Sequence, residues 1–245
     1  LKELLRPDTI VVAVTMVDSE LGVVQPVQEI AEILKDHPHC HLHVDATQAV
    51  GKIPVSFEGV DTMSLTAHKF YGLNGIGLLL KRRNLALEPL IHGGESTTIY
   101  RSGTPTVALA SSLALALELA VEQLPEHAEA VQKANAFLRT ELAKYPKVRI
   151  NSPENAIPHI LNLSVQDVKG TVFQRELNEE GVCVSVKSAC SSDGLPSRAV
   201  FAVSRDRRNA LSSWRISLSH RTTEEDLHGF LAAFDRCYHK LTETQ

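Results

Sequence analysis

The chain has 245 residues, of which 43% are apolar and 22% charged, and a formal net charge of -4. That length suffices for one large or two smaller domains with a buried core, and the composition excludes a disordered or fibrous chain. The slight negative charge gives no general attraction to nucleic acid or anionic membrane, and no apolar run approaches the roughly 20 residues needed to span a bilayer.

In chain order, Leu1-Lys2-Glu3-Leu4-Leu5 is helix-like, and the β-branched run 9–14 predicts a strand buried on both faces. Pro26 opens a helix with Val27, Ile30, Ala31 and Leu34 on one face. Further strands are expected at 41–45, 60–65 and 75–80. Strand, helix, strand order with apolar strands predicts a mainly parallel sheet covered by helices, with polar chemistry at the carboxyl ends of the strands. From Val107 the pattern is helical to about Lys144 with a break at Pro125, and 107–121 reads as a buried helix. After Pro146, strands are expected at 148–150, 159–165, 182–186 and 214–218, and a helix at 171–180. A last helix starts at the capping-box run Thr222-Thr223-Glu224-Glu225. The expected organisation is α/β, with a partial large domain at 1–124 and a smaller α+β domain at 125–245.

Four dispersed cysteines, Cys40, Cys183, Cys190 and Cys237, form no C-x-x-C pair or disulfide scaffold, so a reducing cytoplasm is expected. Cys183 and Cys237 read as core residues. The chain opens on Leu1 rather than Met and shows no secretory leader, and reads as the later part of a longer polypeptide.

Two residues stand out. Asp45 ends the strand His41-Leu42-His43-Val44-Asp45, where a buried carboxylate needs a partner, either a cationic ring N–H or the turn that follows. Lys69 follows another strand in Thr66-Ala67-His68-Lys69-Phe70-Tyr71-Gly72. A Schiff-base lysine and an Asp for the pyridinium nitrogen are the protein groups that pyridoxal phosphate chemistry requires. Gln48 is placed to reach the ring's phenolic oxygen, and Thr66 and His68 to bind a phosphate. Arg101-Ser102-Gly103-Thr104 precedes a helix and suits either an anion or a cap. Cys190, in the Ser/Gly/Pro-rich run 188–196, reads as an exposed, mobile thiol whose thiolate Lys187 favours. Arg215, inside an apolar strand, needs a partner, a substrate carboxylate or an internal ion pair. The run His37-Pro38-His39-Cys40-His41-Leu42-His43 has zinc-ligand residue types, but strand alternation sends them to opposite faces, and no metal is expected.

Together Glu20-Leu21-Gly22-Val23-Val24-Gln25-Pro26, His43-Val44-Asp45-Ala46-Thr47-Gln48, Thr66-Ala67-His68-Lys69, Arg101-Ser102-Gly103-Thr104 and Ser188-Ala189-Cys190-Ser191-Ser192 resemble the cysteine desulfurases. These are pyridoxal phosphate enzymes of the class V aminotransferase group. The resemblance covers nearly the whole chain and implies the type I fold of pyridoxal phosphate-dependent transferases, a homodimer with active sites at the subunit interface, and L-cysteine as sulfur donor. It implies Lys69 and Cys190 as catalytic residues, and Asp45, Gln48, Thr66, His68, Thr104 and Ser19 as cofactor contacts, Thr104 toward the other subunit's phosphate. It implies Arg215 on the substrate carboxylate, and a sulfur-acceptor protein, either an iron–sulfur scaffold or a thiolation enzyme. Asp18-Ser19 stands where the family typically has Asn-Asn, Glu95 where it commonly has glycine, and Lys187 where a glycine often precedes Ser-Ala-Cys. The family's first hundred or so residues have no counterpart here. A selenocysteine lyase or related carbon–sulfur lyase, and a non-catalytic partner that keeps the dimer surfaces, are the rival readings.

Overall fold

Strands β1 (Val11–Thr15), β2 (His41–Asp45) and β3 (Thr62–Thr66) lie side by side in parallel, and β4 (Gly77–Lys81) runs antiparallel to β3, in the order β1-β2-β3-β4. This computed structural model describes residues 1–94, 98–187 and 195–243. The chain divides into two units, Leu1–Met16 with Gln25–Leu124, and Val17–Val24 with Pro125–Gln245. A contiguous division at 124/125 assigns 17–24 to the first unit. The structure counts that turn with the second, because its contacts are with the later chain.

In the first unit the two-residue alternation of β2 and β3 buries Leu42, Val44, Met63 and Leu65 on one face. Helix α1 (Val27–Leu34) buries Val27, Ala31 and Leu34 at helical spacing and packs on β2. Two expectations of full burial fail. Strand β1 is an outer strand whose Val11 is 52% exposed, and in helix α2 (Val107–Glu122) only Leu113 is buried while Val107 and Val121 are largely exposed. Apolar composition records what a residue prefers, but burial needs a neighbour on that side.

The second unit has a three-stranded antiparallel sheet, β5 (Val148–Ile150), β6 (Ile160–Val165) and β7 (Ser213–Ser217), in the order β5-β6-β7. Helices α3 (Leu124–Leu142), α4 (Gly170–Glu179) and α7 (Glu224–Thr242) supply the apolar side. Its centre is aromatic: Phe173 stacks on Trp214 at 5.1 Å, and Phe234 lies 5.3 Å from Phe173 and 5.9 Å from Phe230. The capping box of α7 joins Thr223 and Asp226 reciprocally. Against expectation, residues 182–186 form no extended strand but a single bridge, Ser185 to Arg215, and Cys183 is exposed rather than core. Two short helices, α5 (Arg198–Ser204) and α6 (Arg207–Ser212), have too few turns to show a period in the sequence.

Candidate active site

In the first unit the site is built on the carboxyl ends of parallel strands. Asp45 pairs in register with Thr15 on one side and Ser64 on the other. Main-chain bonds continue past the strand ends, from Met16 N–H to the Asp45 carbonyl (2.8 Å) and from Ala46 N–H to the Ser64 carbonyl (2.9 Å). The Asp45 carboxylate is half-buried, and its Oδ1 accepts the Thr47 N–H at 2.9 Å. Its Oδ2 has no hydrogen-bond partner among the described residues, so one oxygen closes the turn and the other keeps its capacity to accept.

Strand alternation puts His43 on the same face as Asp45. His43 Nδ1 lies 2.8 Å from Thr62 Oγ1, and its Nε2 3.4 Å from Ser64 Oγ. The result is a polar ladder of His43, Thr62 and Ser64 leading to Asp45, backed by the apolar layer of Leu42, Val44, Met63 and Leu65. Sequence reading overlooked this ladder, although its signal was the alternation of His and Ser/Thr with Leu, Val and Met in two adjacent strands.

After β3 the chain makes a 3-10 turn, Ala67–Lys69, that presents Lys69. Phe70 is buried beneath it, and the N–H groups of Phe70 and Gly72 both return to the Ala67 carbonyl, at 3.0 and 2.9 Å. A Cβ on Gly72 would come within 2.7 Å of Ala67 Cβ and 3.2 Å of Ala116 Cβ in α2, so only glycine allows so tight a return. Tyr71 takes a left-handed φ of 68°, an unusual value for a bulky residue, directly after the lysine turn. Lys69 itself is exposed and makes no ion pair among the described residues. Thr66 Oγ1 donates to the Ile76 carbonyl (3.2 Å) and lies 3.1 Å from His68 Nδ1, joining these two polar groups beside the lysine. Gln48 is half-buried, and its Oε1 accepts from Lys52 Nζ at 3.1 Å, which leaves its amide NH2 as a donor. Thr104 is exposed, and its neighbour Ser102 is tied to the His92 carbonyl (2.9 Å). The first unit thus places Asp45 and Thr66 at the carboxyl ends of β2 and β3, and Gln48, His68 and Lys69 in the segments that follow them. Chemically it offers a carboxylate for a cationic N–H, an amine able to condense with a carbonyl, and a hydroxyl–imidazole pair able to hold an anion.

In the second unit Arg215 is half-buried on β7. Its Nη1 donates to the Ser19 carbonyl (2.6 Å) and its Nε to Ser217 Oγ (3.1 Å). Burial pulls the Arg215 pKa below its ordinary value, and the charges of Glu20 and Asp18 oppose this. Ser19 therefore engages Arg215 through its main chain. Of the surrounding groups, Asp18 and Glu20 entered the sequence reading only as part of the family resemblance and Ser197 not at all, since no local pattern joins positions so far apart. Cys190, like Glu95, lies outside the described residues.

The sequence profile of the class V aminotransferases matches residues 1–230. The chain is 37% identical over 246 residues to a cysteine desulfurase IscS of Dictyoglomus turgidum, covering 98% of this chain and 62% of that protein. It is 36% identical to a NifS/IcsS homologue of Lactobacillus delbrueckii subsp. bulgaricus, with 97% and 63% covered. A solved NifS-like protein superposes with a TM-score of 0.89 at 34% identity, covering 98% of this chain and 64% of that one. The chain therefore spans a little under two thirds of the length of these relatives. Its mostly parallel first sheet fits the type I fold of pyridoxal phosphate enzymes, to which these relatives belong. The chain belongs to the class V aminotransferase family, and within it is related to the pyridoxal phosphate-dependent IscS/NifS cysteine desulfurases.

Proposed function

We propose that this protein acts as a pyridoxal phosphate-dependent cysteine desulfurase, converting L-cysteine to L-alanine and passing the sulfur on as a persulfide of Cys190. The observation that carries this reading is the placement of Asp45 and the Lys69 turn at the carboxyl ends of adjacent parallel strands, each with a functional atom that has no partner among the described residues. These residues fit the cofactor by their chemistry. When bound, pyridoxal phosphate supplies an electron sink for the substrate carbons.

The chain's own groups do the rest. Asp45 Oδ2 holds the proton on the ring nitrogen, and the Gln48 amide donates to the phenolic oxygen. Thr66 and His68 bind the phosphate, and in a homodimer Thr104 reaches the phosphate of the other subunit. Ser19 contributes at the cofactor or substrate. Lys69 anchors the cofactor through its amine and then carries protons at the substrate carbons. Arg215 pairs with the substrate carboxylate. The Cys190 thiolate attacks the substrate sulfur: an S–S bond forms, the C–S bond breaks, and the carbon skeleton takes up protons and leaves as alanine. The persulfide sulfur then goes to an acceptor protein, an iron–sulfur scaffold or a thiolation enzyme, in the cytoplasm.

The test is spectroscopic and chemical. Purified protein supplied with the cofactor should show a near-visible band that Lys69→Ala abolishes, and should release alanine from cysteine in a manner that Cys190→Ala blocks. Faster release from selenocysteine, with Cys190→Ala unimpaired on cysteine, would favour a lyase. A protein that cannot be given the band would overturn the enzymatic reading in favour of a non-catalytic partner.

A further inference from the structure

The turn Val17–Val24 is held from several sides. Val17 and Val24 pair as an antiparallel bridge, and Asp18 N–H donates to the Val23 carbonyl at 2.9 Å. Asp18 Oδ1 accepts the N–H groups of Glu20 (3.0 Å) and Leu21 (2.6 Å), closing the turn on itself. Leu21 is buried against Val200 and Ala210, and the Gly22 carbonyl accepts the Ile157 N–H at 2.9 Å.

This frame fixes two acceptors. The Ser19 carbonyl takes Arg215 Nη1 at 2.6 Å, and Glu20 Oε2 takes the Ser197 hydroxyl at 2.5 Å. Ser197 is 1% exposed and caps α5, its oxygen accepting the Val200 N–H at 3.1 Å. Arg215 in turn exchanges both main-chain bonds with Ser185, at 3.1 and 2.6 Å, and the Ser185 neighbour Val184 accepts from Gln174 Nε2 at 2.8 Å. Ser185 and Ser197 are thus anchored positions on either side of Cys190 in the chain, and both anchors lead back to one turn.

We propose that Glu20 is a positioning residue: through Ser197 it ties the start of α5 to the turn that holds Arg215, so that the substrate arginine and the chain flanking Cys190 share one rigid support. This rests on the roles proposed above for Arg215 and Cys190. The carboxylate suits the task because a hydroxyl-to-carboxylate bond is stronger than a neutral one, and because removing it strands a buried donor on Ser197. Arg215 is held in place by the main chain of Ser19 while the Glu20 charge also acts on it, so Glu20→Gln, which removes that charge but keeps an acceptor for Ser197, separates the anchor from the charge.

The test compares Glu20→Ala, Glu20→Gln and Ser197→Asp in the intact protein. The last keeps a helix cap but opposes two carboxylates. Glu20→Ala and Ser197→Asp should slow persulfide formation on Cys190 about tenfold, while the cysteine concentration that half-saturates the change in the cofactor band moves less than about twofold. Glu20→Gln, which keeps an acceptor oxygen, should recover most of the rate. Amide hydrogen exchange of 195–204 should quicken in the two damaging variants and stay at the parent rate in α7. Unchanged exchange at 195–204 overturns the tether whether or not the protein carries cofactor. Quickened exchange with an unchanged persulfide rate, or equal losses of rate and cysteine binding, overturns the positioning role. A parent without the Lys69-dependent band refutes the desulfurase reading instead, and the exchange arm still decides the tether.

Discussion

Arg215 donates from Nη1 to the main-chain carbonyl of Ser19 at 2.6 Å across 196 positions of the chain. With Nε on Ser217 Oγ, the planar guanidinium has its orientation set by two fixed acceptors, and its remaining N–H groups would be available to the proposed substrate carboxylate. Lysine carries the same charge but cannot keep both bonds and offer a fork as well. Arg215→Lys is therefore expected to raise the half-saturating cysteine concentration by about tenfold or more, with the near-visible band retained. A titration of the band with cysteine checks this, and an unchanged midpoint would remove Arg215 from substrate binding.

Asp45→Asn keeps the shape of the side chain and the acceptor for the Thr47 N–H. What it removes is the charge proposed to pair with the ring nitrogen. Cofactor affinity is expected to fall about 10- to 100-fold, as for loss of a charge-assisted hydrogen bond, while thermal stability without cofactor stays near that of the parent. Equilibrium dialysis with pyridoxal phosphate and a melting curve together separate these effects. Equal cofactor affinity in both proteins would argue that Asp45 only closes its turn.

The aromatic centre of the second unit sets its stability. Phe234 is fully buried and touches Phe173, Trp214, Phe230, Tyr145 and Tyr238, so Phe234→Ala should cost about 3–5 kcal/mol in urea denaturation. Trp214 presents a different case, because its buried Nε1 has no hydrogen-bond partner among the described residues. Trp214→Phe loses packing but also removes that stranded donor, and its cost should stay below that of Phe234→Ala.

Gly22 has a left-handed φ of 76°, and a Cβ there would lie 3.1 Å from Ile160 Cβ. Gly22→Ala is expected to destabilise by about 1–2 kcal/mol, the cost of placing an alanine in the left-handed region. It should also quicken exchange in the Val17–Val24 turn. A variant as stable as the parent would show that the turn can relax.

His220 stacks on His127 with ring centroids 3.5 Å apart. Burial, then His127 and Arg221, push its pKa below the ordinary 6.5, while Glu126 acts in the opposite direction. A histidine with a lowered folded-state pKa binds its proton more readily when unfolded, so its contribution is fully present above 6.5 and is lost as pH falls through the folded-state value. The denaturation midpoint should therefore drop between about pH 7 and pH 5, and drop less in His220→Asn. Parallel pH profiles for the two proteins would contradict this.

What could be read from the sequence was local. The strands expected at 41–45 and 60–65, the Pro26 helix start and the capping box in the run Thr222-Thr223-Glu224-Glu225 each depend on neighbouring residues, and each appears in the structure near the expected place. Asp45 and Lys69 were visible because strand ends collect polar chemistry and each sits beside one. The order of the motifs identified the family for the same reason. Burial of β1 and α2, the exposure of Cys183 and the shortness of the 182–186 pairing were misread, since apolar or β-branched composition does not say which side of an element finds a neighbour. Only the tertiary structure showed the polar ladder of His43, Thr62 and Ser64, and only it gave Arg215 and Ser197 a common support in the turn of Ser19 and Glu20. Those contacts join residues that share no period, and the packing of strands and helices alone brings their atoms within hydrogen-bonding distance.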